Sequence, residues 1–136
     1  MALQVKNHRV LMELLAVPYH PNLIKLICWC AIRFTDRDHP FVFTSGYRTG
    51  DKGVHGLIPC RGMDIRSSVY GNPQKIVDEI NAHFIYDPKR PFHVVNGHKE
   101  PLRCAKYHGP PWHIHLQAHN RTQYLRNPQR ENGTSL

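Results

Sequence analysis

The sequence has no hydrophobic run approaching the roughly 18 consecutive apolar residues that a membrane span requires. It also has no run of five or more Lys or Arg, although it carries 18 of these against only 10 Asp and Glu. The cationic arm of a dedicated nucleic-acid binder is therefore missing, and nucleic acid is not the expected partner. The surplus of +8 favours polyanions in general, anionic lipid headgroups and acidic cell-wall polymers among them, and charge alone does not choose. The four cysteines, Cys28, Cys30, Cys60 and Cys104, make no C-x-x-C pair, which disfavours a zinc ribbon. Cys28 and Cys30 sit in an apolar block and are expected in the core. The opening "MALQVKNHRVLMELLAV" puts Lys6, His8 and Arg9 before an apolar run broken by Glu13, with no small-residue cleavage site. The expectation is synthesis in the cytoplasm without a signal peptide, and reduced thiols.

Internal repeats, low-complexity tracts and an interdomain linker are absent too. A chain of 136 residues then suits one domain with one core. Residues 1–122 are expected to form it, and 123–136 to be a polar tail with no periodic apolar face. Val10, Leu11, Leu14 and Leu15 lie at helical spacing before the Pro18 to Pro21 segment. "NLIKLICWCAIRF" is a second helix with Leu23, Leu26, Ile27, Cys30 and Ala31 on one face, and the two helices are expected to pair. "TDRDHP" reads as a turn, and "FVFTS" and "MDIRS" as short strands. "NPQKIVDEINAHF" reads as a helix capped by Asn72 with Pro73 at its first position, and "FHVVNG" as a strand ending in a turn. In "PWHIHLQAH", Trp112, Ile114, Leu116 and Ala118 alternate with His113, His115, Gln117 and His119. Period two sends the apolar set to the core and the polar set to the opposite face. The expected fold is α+β, with N-terminal helices packed on a small antiparallel sheet and one crossover helix.

The chemistry concentrates in histidine. Eleven are present, and six fall late: His93, His98, His108, His113, His115 and His119. His113 and His115, two apart on a strand, face the same way, so one can ligate a metal while the other is a ligand or a neighbour. His55 and Asp64 lie in "RTGDKGVHGLIPCRGMDIR", a stretch with four glycines. Asp64, between Met63 and Ile65 in an apolar strand, needs a partner. Two imidazoles and one carboxylate would leave a tetrahedral zinc ion one position for water. Cys60, in the same stretch, is a further candidate to approach the ion.

"TSGYRTGDKGVHGLIPCRGMDIR", followed about fifty residues later by "PWHIHLQ", resembles the zinc peptidases of the D-alanyl-D-alanine carboxypeptidase and hedgehog superfamily, the VanY-like enzymes and bacteriophage endolysins among them. The resemblance covers residues 41 to 119. It implies a hedgehog/DD-peptidase-like fold in which His55, Asp64 and His115 bind Zn2+, Arg48 faces the substrate and His113 handles the proton. It further implies cleavage of peptidoglycan stem peptides, as a carboxypeptidase or an endopeptidase, with release to the wall during phage lysis. Two departures stand out. Eight residues separate His55 from Asp64 where the family has six, and the extra pair is expected to bulge outward. Many relatives also carry a carboxylate base three residues before the last zinc histidine, and Trp112 stands there. His113 is the replacement suggested by H-x-H members, with Glu100, Asp51 and His108 as alternatives. A catalytically silent zinc-binding domain, such as a phage virion protein, is the other reading.

Overall fold

A computed structural model describes residues 3–126. The elements run β1 (Leu3–Val5), α1 (His8–Ala16), α2 (Pro21–Phe34), β2 (Phe41–Ser45), β3 (Gly62–Ile65), α3 (Pro73–His83), β4 (Phe84–Ile85), β5 (Phe92–Val95), β6 (His98–Pro101), β7 (Ala105–His108), β8 (His113–Gln117) and β9 (Gln123–Tyr124). The main sheet has the order β1-β2-β3-β8-β7, antiparallel throughout except for the parallel β1–β2 pair. Two small ribbons, β4–β9 and β5–β6, stand apart from it. The class is α+β, with three helices and a small, mostly antiparallel sheet.

Each helix opens on a cap written in the sequence. Asn7 accepts from the Val10 amide and Asn72 from the Lys75 amide, while the His20 ring accepts from Asn22 ahead of the helix that Pro21 starts. These side chains satisfy amides that the first turn leaves unpaired. The residue before Pro18 is extended, with φ −145° and ψ 161° at Val17, which closes α1.

One face of the sheet carries the core. Leu23, Leu26 and Cys30 of α2 and Val77 and Ile80 of α3 pack in a single cluster with Phe41, Met63, Ile65, Ile114 and Leu116 of the sheet. Ile114 and Leu116 are fully buried, as the alternation in β8 requires, and each such side chain contributes about 1.5–3 kcal/mol. Because the helices cover this face, His113, His115 and Gln117 emerge on the other one.

Several expectations are corrected. α1 and α2 do not form a helix pair: α1 lies against β1 and β2, and α2 against β8. Only Val10 of α1 is fully buried, while Leu11 and Leu15 are exposed, so the helix has too narrow an apolar contact to hold a second helix. Cys28 is exposed because five residues at 100° each turn it well away from the Leu23 face. Trp112 precedes β8, is 60 % exposed and leans on the Tyr107 ring at 4.9 Å instead of entering the core. The strand "FHVVNG" pairs only with β6, through a turn in which Asn96 and Gly97 both have positive φ (50° and 78°), as a two-residue hairpin demands. At the C-terminal end, β9 pairs with β4 and the Leu125 amide donates to His83, so packing continues past residue 122. The rest of the segment read as a tail, 127–136, lies outside the described residues.

Two predictions follow from this packing. Asn81 of α3 bridges the edge strand β7 by accepting from the Ala105 amide at 3.0 Å and donating to its carbonyl at 2.9 Å. Asn81→Ala orphans both groups and should cost about 1–3 kcal/mol, read as a lower urea midpoint at unchanged slope. Asp87, against the end of β4, accepts the Arg121 fork at 2.8 and 2.7 Å. That pairing outweighs desolvation and holds its carboxyl well below the usual carboxylate range. A depressed carboxylate stabilises the fold above its unfolded pKa of about 4 and ceases to do so in acid. The stability difference between wild type and Arg121→Ala should therefore be full at neutral pH and shrink as pH falls below about 4, measured by urea titration at each pH.

Candidate metal centre

The turn after β2 is fixed from outside. Glu13 of α1 accepts from the Gly46 amide at 2.8 Å, and the Tyr19 hydroxyl accepts from the Tyr47 amide at 2.9 Å while donating to the Glu13 carbonyl at 2.8 Å. A Cβ on Gly46 would lie 2.5 Å from that hydroxyl, so only glycine allows the approach. The Gly46 carbonyl is thereby aimed inward, and it accepts from His55 Nδ1 at 2.7 Å.

His55 itself rides on a single 3-10 turn, Val54–Gly56, laid across the start of β3. Gly62 permits that contact, since a Cβ there would meet Val54 Cγ2 at 2.6 Å. Beyond that turn the loop swings outward: Leu57 and Ile58 are exposed, and the chain returns at Cys60. There the Cys60 amide donates to the Pro18 carbonyl at 2.9 Å, and the His20 amide donates to the Cys60 carbonyl at 2.8 Å. Cys60 does not approach the centre. Its thiol, pushed up in pKa by burial, faces the carbonyls of Gly62, Val54 and His55 at 3.4 to 3.7 Å.

The sheet register completes the group. Asp64 of β3 stands directly opposite His115 of β8. His55 Nε2, Asp64 Oδ1 and His115 Nδ1 converge, at 3.2 Å (His55 to Asp64), 2.9 Å (His115 to Asp64) and 3.3 Å (His55 to His115). The three side chains are only 4, 9 and 12 % exposed. Each imidazole spends its outer N–H on a fixed acceptor. Gly46 takes that of His55, and Gln117 Oε1 takes that of His115 at 3.1 Å, with Gln117 oriented by its own donation to the Arg103 carbonyl at 2.7 Å. Neutral rings so anchored present lone pairs to the centre. Burial would raise the Asp64 carboxyl, but the adjacent His115 and His55 more than reverse this and keep it ionised.

Two ring nitrogens and a carboxylate at such distances could hold a cation among them. Ligands about 2.0–2.2 Å from a tetrahedral ion lie about 3.3–3.6 Å apart, close to the separations found. His55, Asp64 and His115 are the group of His, Cys, Asp and Glu that can hold a metal ion among the described residues. The donor set therefore fits a divalent ion, with three protein ligands and a side open to the cleft.

That cleft, about 880 Å³, brings the other expected residues together. His113 donates from Nδ1 to the Pro111 carbonyl at 2.8 Å, which leaves its Nε2 3.8 Å from Asp64 Oδ2. His108 stacks edge-on against His113 at 4.4 Å, and burial, then the charges of His113 and His115, lowers its pKa. Arg48 lines the cleft, its amide donating to the His55 carbonyl and its guanidinium 3.5 Å from Asp51. Glu100 is exposed on β6 and does not line the cleft. Sequence reasoning passed over Glu13, Tyr19 and Gln117 as parts of this site. Gln117 alone left a signal, on the same strand face as the two histidines.

No family model matches the chain, and no curated protein or solved structure matches it either. The class that fold and site define is an α+β protein with a buried His-Asp-His group, able to hold a metal ion, at the floor of an open cleft.

Metal titration of the apo protein checks this centre. Wild type should bind one divalent ion per chain with high affinity, and Asp64→Asn and His55→Ala should lose it. Gln117→Leu, which frees the His115 ring, should weaken it by about 10–100-fold, whereas Cys60→Ser should bind as wild type does.

Proposed function

We propose that the chain is a zinc peptidase of the VanY and hedgehog type, cleaving peptidoglycan stem peptides. The observation that carries this reading is the convergence of His55 Nε2, Asp64 Oδ1 and His115 Nδ1, outer N–H groups anchored, on a cleft that also holds His113 and Arg48. Two imidazoles and a carboxylate are a zinc-type donor set, short of the fourth ligand that a purely structural site would add. A zinc ion held there would acidify water and polarise a peptide carbonyl.

The chain's own residues supply the rest. His113 has its Nδ1–H committed to Pro111, so its Nε2 accepts a proton on the cleft side and returns it to the leaving amine. Arg48 holds a substrate carboxylate or the developing oxyanion, its backbone tied to the His55 carbonyl at 2.8 Å. Asp51 stays with Arg48 and with the Gly53 amide, to which it is bonded at 2.7 Å, and this commitment fits it for orienting the arginine better than for acting as the base.

A second reading has an observation of its own. Trp112 stands where a carboxylate base is common, and no carboxylate in the cleft lacks a partner among the described residues. That favours a metal-binding domain that hydrolyses nothing. Incubating the zinc-loaded protein with purified peptidoglycan, then searching for new termini by mass spectrometry, separates the two. The peptidase reading expects new amino and carboxyl termini, with His113→Ala losing at least 100-fold in rate while keeping its zinc. Intact peptides with fully zinc-loaded wild type would establish the silent domain instead.

A further inference from the structure

The cleft holds more positive charge than its own carboxylates offset. Asp51, Asp64 and Asp87 line it together with Arg48, Lys52, Arg61, Arg90 and Lys106. Each of the three carboxylates is already taken. Asp64 belongs to the metal centre, Asp51 to Arg48, and Asp87 to the Arg121 fork and the Lys89 amide at 3.0 Å. Arg61 and Arg90 thus have no carboxylate partner among the described residues.

Both arginines line the cleft with Tyr86 and His119, whose rings lie 5.6 Å apart. Burial lowers the pKa of His119, and the charge of Asp87 opposes that shift while Arg121, Arg61 and Arg90 add to it. The backbones of Arg61 and Arg90 are fixed. Arg61 donates to the Val54 carbonyl and accepts from the Ala118 amide, and Arg90 closes a turn on the Asp87 carbonyl. His93 of the β5–β6 hairpin lines the same cleft, and its Nε2 is shielded from solvent without a partner among the described residues.

We propose that Arg61 and Arg90 form an anion subsite in this cleft, which binds a carboxylate side chain of the substrate peptide beside the His-Asp-His group. The inference rests on the peptidase reading for its substrate class, an acidic peptide, but its binding chemistry stands separately. Planar guanidinium forks suit a carboxylate in two-point contact, and fixed backbones reduce the entropy lost on binding.

Fluorescence anisotropy of zinc-loaded full-length protein tests it, using a labelled hexapeptide with one glutamate and its glutamine counterpart. Wild type should prefer the glutamate peptide by roughly tenfold or more. Arg61→Ala/Arg90→Ala should erase the preference, Arg90→Ala alone, in an exposed turn, should reduce it, and Arg37→Ala outside the cleft should leave it intact. Equal binding of the two peptides by wild type, a preference that survives the double substitution, or an equal loss in Arg37→Ala overturns the subsite. A glutamate preference without any cleavage of wall peptides sinks the peptidase reading and leaves the subsite standing. Cleavage without a preference does the reverse.

Discussion

The structure turns on the crowding of three polar groups. Two imidazole nitrogens and an ionised carboxylate oxygen are held at 2.9 to 3.3 Å from one another, largely out of water. Each is restrained from behind: His55 by the Gly46 carbonyl, His115 by Gln117, and Asp64 by the ladder that pairs β3 with β8. A group gathered in this way by folding could take up a cation without further rearrangement.

The restraint extends into the helical layer. The Gly46 carbonyl keeps its aim because Glu13 and Tyr19 hold the turn from α1 and from the α1–α2 connection. The same connection pins Cys60 through Pro18 and His20, so the long loop carrying His55 is closed at both ends against one segment of eight residues, 13–20. This explains the short, poorly buried α1. Its contribution is a polar brace on the site, with Glu13 12 % exposed in its side chain and also paired to Arg9, more than a share of the core.

Much of this was legible in the sequence. The alternation in "PWHIHLQAH" assigned His113 and His115 to one face, and burial of Ile114 and Leu116 shows why: a one-residue slip would exchange core and cleft. The cap at Asn72 and the core stripe of α2 were equally local signals. What escaped was non-local or short. β6 is wholly exposed and polar, and β7 and β9 gain their identity only from partners distant in sequence. Cys28 and Trp112 were misplaced because composition says what tends to be buried, whereas phase along the helix and the start of the strand decide it. Glu13 and Tyr19 left no trace, since nothing in the spacing of a helix and a connecting segment announces a hydrogen bond to a turn some thirty residues on.

Charge links the centre to the rest of the cleft. A divalent ion adds two positive charges against the single negative charge of Asp64, so loading the site makes an already cationic surface more so. Because Asp51 and Asp87 are committed to Arg48 and Arg121, rearrangement of the protein's own carboxylates would break existing pairs. Neutral peptide would meet that field with dipoles alone, while a carboxylate meets it with a full charge. The position of that carboxylate matters, for one placed at the ion would compete with water and with the carbonyl to be cut. In the proposed subsite, Arg61 and Arg90 would take up substrate charge at the cleft wall, without bringing a second anion to the ion. His113 spends its Nδ1 on the Pro111 carbonyl, which turns its Nε2 toward the cleft. On the proposed reading, metal binding, proton handling and selection of an acidic substrate would thus draw on one electrostatic arrangement, set by carboxylates that are few and already paired.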